Sequence, residues 1–96
     1  MTYGRVDANH ALIVRGLRQV GASVEARLAA IGFGCPDLAC GFRGVNYLFE
    51  VKNGVLKPSA RQLTENERIW HMNWQGQVDR IETLDEALKI IGVLTK

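Results

Sequence analysis

Pro36-Asp37-Leu38-Ala39-Cys40-Gly41-Phe42-Arg43-Gly44-Val45-Asn46-Tyr47-Leu48-Phe49-Glu50-Val51-Lys52 decides the fold of this chain. The stretches Asp37 to Phe42 and Val45 to Lys52 are rich in apolar and aromatic residues, and Arg43-Gly44 between them is a natural two-residue turn. A hairpin closed there sets Phe42 opposite Val45 and Asp37 opposite Glu50. Residues directly opposite share a face of the sheet, with Cβ atoms roughly 4.5–5.5 Å apart. A four-residue loop centred at the same place keeps this register, whereas a three-residue loop would send the two carboxylates to opposite faces. Lys52 lies two positions beyond Glu50 and joins the same face through the strand period. Two acids and a lysine are thus expected to converge at the end of the hairpin away from its turn.

Like charges directly across a strand pair cost stability unless a cation compensates them. A divalent ion such as Mg²⁺ is the expected compensation, with Asp37, Glu50 and the Val51 carbonyl as ligands and with waters and phosphate oxygens completing the shell. Such an ion would polarise a scissile phosphate and lower the pKa of a bound water. Lys52 would orient that water or stabilise charge on the phosphate. The competing reading makes Glu50 and Lys52 ordinary exposed strand residues and Asp37 a turn residue after Pro36.

These residues resemble the PD-(D/E)XK nuclease superfamily, and within it the small VRR-NUC and Holliday-junction-resolvase-like branch with its short phage-encoded members. The motif match runs through Gly34-Cys35-Pro36-Asp37-Leu38, Tyr47-Leu48-Phe49-Glu50-Val51-Lys52 and Leu63-Thr64. The resemblance implies an α/β, restriction-endonuclease-like core and Mg²⁺- or Mn²⁺-dependent cleavage of DNA. It also implies an acidic residue on the first helix, where this chain offers Leu12 within Asn9 to Ile13, and Asp7 near the expected helix start reads equally well as a cap. A Gln or acid early in the helix after the Glu50-Val51-Lys52 strand is implied as an accessory, a role open to Gln62 or Glu67.

The remaining elements follow from periodicity and caps. Asp7 to Val20 reads as a helix with Ala8, Ile13, Leu17 and Val20 as its apolar stripe. Ser23 to Ala29 reads as a strand, and Asn53 to Ala60, with Gly54 and Pro58, as irregular chain. Thr64-Glu65-Asn66-Glu67 is a capping box for a helix to about Trp74, and Thr83-Leu84-Asp85-Glu86 is a second one for the final helix. Gln77 to Glu82 makes a short strand between them. The expected order is αβββαβα, a mixed sheet flanked by helices. Trp70 and Trp74, four apart with Ile69 and Met72, read first as core packing and second as a surface for a homodimer presenting two sites to a duplex.

The 96 residues, 47% of them hydrophobic, suit one domain spanning 1–96. No apolar run approaches a membrane span and no leader pattern opens the chain, so the expected compartment is the cytoplasm, that of a host if the chain is phage-encoded. Cys35 and Cys40, read as strand residues on opposite faces, are expected to be buried small hydrophobes, and His10 and His71 lack metal-ligand spacing. The net charge of +2 says little about partners, whereas Lys52, Lys57 and Arg61 form a run without an acid. With Arg43 at the hairpin tip, Lys57 and Arg61 are the expected DNA contacts, while Arg5, Arg15 and Arg18 mark the first helix. Two functions follow: a metal-dependent DNA endonuclease selective for junctions or flaps, or a DNA-binding or assembly module with a degenerate nuclease site.

Overall fold

The hairpin forms with the register its turn dictates. In the computed structural model, which describes residues 3–54 and 58–95, with the side chains of residues 3–8, 60 and 61 outside that description, strand β2 (Leu38–Phe42) pairs antiparallel with β3 (Val45–Val51). Phe42 faces Val45 and Leu38 faces Phe49, so Asp37 and Glu50 occupy the next opposed positions. The sheet has four strands in the order β1-β2-β3-β4, with β1 (Ser23–Glu25) antiparallel to β2 and β4 (Asp79–Ile81) parallel to β3. The parallel pairing is made possible by a crossover carrying α2 (Pro58–Arg61) and α3 (Glu65–Asn73). Helices α1 (Tyr3–Gln19) and α4 (Leu84–Ile90) complete the chain.

One sheet face and the two terminal helices make the core. Leu38 and Cys40 on β2, Phe49 and Val51 on β3 and Ile81 on β4 are buried against Ile13, Val14 and Leu17 of α1 and Ala87, Leu88 and Ile91 at α4. Helices α1 and α4 meet at Gly16, where a Cβ would run into the Leu84 side chain. The α4 start carries the expected capping box, Thr83 accepting from the Glu86 N–H.

Four expectations need correction. Helix α1 runs from Tyr3 to Gln19, so Asp7 lies within it rather than at its start, and Val20 just beyond it is exposed rather than part of the stripe. Strand β1 stops at Glu25, because continuing the register would set Arg27 against Asp37, next to Pro36, which has no N–H to give. The chain instead folds Leu28–Ile31 into a 3₁₀ turn. Pro58 opens the short helix α2 within the segment expected to be irregular, since the first helical position needs no N–H; the order gains one helix, αβββααβα. Finally, α3 has no buried residue: Trp70 is half-buried and Ile69, Met72 and Trp74 are exposed, so the tryptophan pair is not core.

Candidate functional site

On the sheet face opposite the main core, the strand period turns Glu50 and Lys52 toward α3, and Pro36 delivers Asp37 beside them. Asp37 Oδ2 accepts from the Val51 N–H at 2.8 Å, the bond that extends the hairpin ladder by one residue through a side chain. The N–H and C=O of a strand residue project to the same side. The Val51 carbonyl therefore faces the Asp37 side, beyond the end of β2.

Glu50 is 3% exposed, the buried charged residue of the described chain. Its Oε2 lies 3.7 Å from Lys52 Nζ, too far for a hydrogen bond, and its Oε1 is buried with no hydrogen-bond partner. Burial, then the neighbouring charges of Asp37 and Glu67 and a hydrogen bond shared with Glu67, push the Glu50 carboxyl up to about 9 against the pull of Lys52. At neutral pH and without a cation, this group holds its proton.

Lys52 is fixed from three directions. Its ammonium donates to Glu67 Oε1 at 2.8 Å, its N–H donates to the Ile81 carbonyl at 2.9 Å, and its carbonyl accepts from Asn9 Nδ2 at 3.0 Å. Glu67 is also the third residue of the α3 capping box, accepting from the Thr64 N–H at 2.8 Å. Burial raises the Glu67 carboxyl, but the hydrogen bonds from Lys52 and Thr64 outweigh it and leave the group below its ordinary range.

Of the expected residues, Asp37, Glu50, Val51, Lys52 and Glu67 come together. Gln62 is exposed in the link before α3, whereas Glu67 pairs with Lys52. Arg43 does not come near: it stands at the hairpin tip with its guanidinium 4.7 Å over the Phe42 ring, about 20 Å from Val51 along β3 at strand rise. Lys57 lies outside the described residues, and Arg61 closes α2 with its side chain outside that description. Leu12 is exposed, while Asn9 of α1 reaches the strand end.

Three neighbours escaped the sequence reading. Asn9 precedes Ile13 and Leu17 by one and two turns on the same helical face, and a lone amide on an apolar stripe signals a buried hydrogen bond. His71 follows Glu67 by one turn of α3, with a buried Nε2 that has no partner; burial lowers its pKa, opposed by Glu67 and Asp79. Cys35 sits in the loop before Asp37 rather than on a strand and is half-buried, its thiol raised by burial and then by Glu50 and Asp37. Cys40, by contrast, is buried as expected.

Among the described residues no three His, Cys, Asp or Glu side chains form a metal cage, and no helix is long and apolar enough to cross a membrane. No family model and no curated protein matches the chain. A solved structure described as "VRR_NUC domain" matches it with a TM-score of 0.61 over 92% of this chain and 91% of that one, at 22% identity. The chain therefore has the fold of a VRR_NUC domain, the restriction-endonuclease-like α/β core that its Pro36-Asp37 and Glu50-Val51-Lys52 elements imply.

Proposed function

We propose that this chain is a metal-dependent DNA endonuclease that selects branched substrates such as junctions or flaps. One observation carries the reading: Glu50 is buried beside Asp37 with one carboxylate oxygen lacking any partner. A buried carboxyl in that state is costly unless something else engages it. The donor set suits Mg²⁺ or Mn²⁺, which take hard oxygen ligands and keep several positions for water and phosphate. Asp37, Glu50 and the Val51 carbonyl would hold the ion, which when bound supplies Lewis-acid activation of the scissile phosphate and of a water.

The chain's own groups do the rest. Lys52, held by Glu67, presents positive charge where the phosphate would gain negative charge, and its fixed backbone keeps it from swinging away. Asn9 and Asp37 lock the end of β3, which sets the position of Glu50. Basic side chains hold the flanking phosphates, Lys57 and Arg61 by their place in sequence and Arg43 only for a substrate reaching the hairpin tip. Two copies joined through α3 would present two sites to the two strands of a duplex.

The second reading, a DNA-binding or assembly module with a degenerate site, draws on Leu12, exposed and apolar at the position where the first helix is expected to carry an acid, and on the amide that Asn9 offers the strand end. Cleavage of labelled junction, flap, duplex and single-stranded DNA with Mg²⁺, Mn²⁺ or EDTA separates the two. The nuclease reading expects metal-dependent cutting that Asp37→Ala and Lys52→Ala each reduce at least about a hundredfold, the scale of losing a transition-state contact. Binding without cutting under every metal would leave the module reading standing.

A further inference from the structure

The loop that delivers Asp37 also carries an aromatic ring that the site described above leaves unused. Gly32, Phe33 and Gly34 have φ of 82°, 59° and 85°, and the Cys35 N–H donates to the Gly32 carbonyl at 3.1 Å. Gly32 to Cys35 is therefore a tight turn whose two central residues are both left-handed, a geometry that Gly, Asn and Asp ordinarily occupy. A bulky ring at the first central position is strained. Arg43, with φ 52°, has the same conformation for an evident reason: it forms the two-residue turn of a hairpin, where strand twist demands it. Phe33 closes no hairpin.

Nor does the ring gain anything inside the protein. Phe33 is 88% exposed, more than any other large apolar side chain among the described residues, and Ile31 nearby is exposed as well. The loop is braced at the same time, because the Gly34 backbone lies so close to the Asn66 carbonyl of α3 that no side chain would fit. Strain, exposure and a braced backbone coincide four residues before Asp37, within at most roughly 14 Å of chain.

We propose that Phe33 is a stacking platform for an unpaired nucleobase of the substrate strand beside the bond to be cut. This rests on the nuclease reading above and gives that reading its substrate class. One exposed ring offers about 200 Å², far below the ~800 Å² per partner that a stable protein interface buries. A base stacks on a single ring with either face, whatever its sequence. A fully paired duplex offers no free face near the site; a flap, bulge, opened junction branch point or single-stranded end does.

Phe33→Gly suits the turn and removes the ring, and Phe33→Trp restores a ring. Binding of single-stranded DNA and of fully paired duplex, each carrying 2-aminopurine next to the cleavage position, is measured in EDTA, where cutting is suppressed. Stacking predicts that Phe33→Gly weakens single-strand binding about tenfold and removes the fluorescence change on binding. Duplex affinity should move less than about twofold, and Phe33→Trp should recover both signals. The melting temperature of Phe33→Gly should equal or exceed that of the unaltered protein, which excludes misfolding as the cause. Equal losses on both DNAs, no loss, or a change of oligomeric state in Phe33→Gly would each overturn the proposal. Metal-dependent cutting that needs Asp37 but ignores Phe33 would leave the nuclease reading intact without it, and Phe33-dependent binding without any cutting would leave the reverse.

Discussion

Glu50, with a carboxyl raised to about 9 by burial and by Asp37 and Glu67, makes folding itself sensitive to pH. An unfolded glutamate ionises near 4.5, so between those values the folded state holds a proton that the unfolded state has lost. Stability from this group is complete below the lower value and is lost as pH rises through the upper one, at up to about 1.4 kcal/mol per pH unit. The lowered carboxyls of Glu25, Glu65 and Glu67 titrate on the acid side of that window. His71, also lowered, acts below its unfolded value of 6.5. Urea melts in EDTA at pH 7 and pH 8 should therefore show the protein weakening with pH, and Glu50→Gln, neutral at both, should lose most of that slope. A slope that Glu50→Gln leaves unchanged would place the effect elsewhere. Added Mg²⁺ should oppose the weakening in the unaltered protein and not in Glu50→Gln, because a cation held there displaces the proton.

Helix α3 is joined to the end of β3 through the Glu67 carboxylate, which both closes the Thr64 capping box and holds Lys52. These two tasks separate by substitution. Thr64→Ala removes the cap and should cost about 1 kcal/mol while leaving the Lys52–Glu67 pair and most of the cutting. Glu67→Gln keeps an acceptor oxygen for both the Thr64 N–H and the Lys52 ammonium, so it should cost less in stability yet slow cutting about tenfold as the Lys52 hydrogen bond loses the opposite charge that strengthens it. Chemical unfolding and initial cleavage rates on the two variants check this, and the opposite ranking would show that Glu67 serves the fold alone. Both capping boxes and the Arg43-Gly44 turn were legible because each is local: a few adjacent residues fix the hydrogen bonds and hence the register of Asp37 against Glu50. The end of β1 was not, because it is set by where β2 runs out at Pro36, a partner remote in sequence. Pro58 is ambiguous in sequence because proline breaks a helix interior and starts a helix equally well, and Asn9 carries no charge that would set it apart as a neighbour of two carboxylates.

Across the whole molecule the two sheet faces are unequally covered: α1 and α4 close one side, while α3 lies over the other with no residue buried. Helical spacing marked Trp70 and Trp74 as belonging to one face, but periodicity does not say what that face meets. The structure stacks the two rings on each other, centroids 4.6 Å apart, and leaves Ile69, Met72 and Trp74 open. Burying this patch against its own copy would remove apolar surface that the chain cannot fold inward. The patch is small beside the ~800 Å² per partner of a standard interface, so the pairing should be weak, with a dissociation constant on the order of micromolar. Sedimentation over a range of concentrations should show a reversible dimer. Met72→Glu, placing a charge on an exposed position, should shift it to monomer without changing the melting temperature of the dilute protein. The same substitution should slow paired cuts on a junction while single cuts on a flap persist, since only the former needs two sites at once. A protein that sediments as monomer at every concentration, yet cuts junction arms in pairs, would show that α3 is simply solvated.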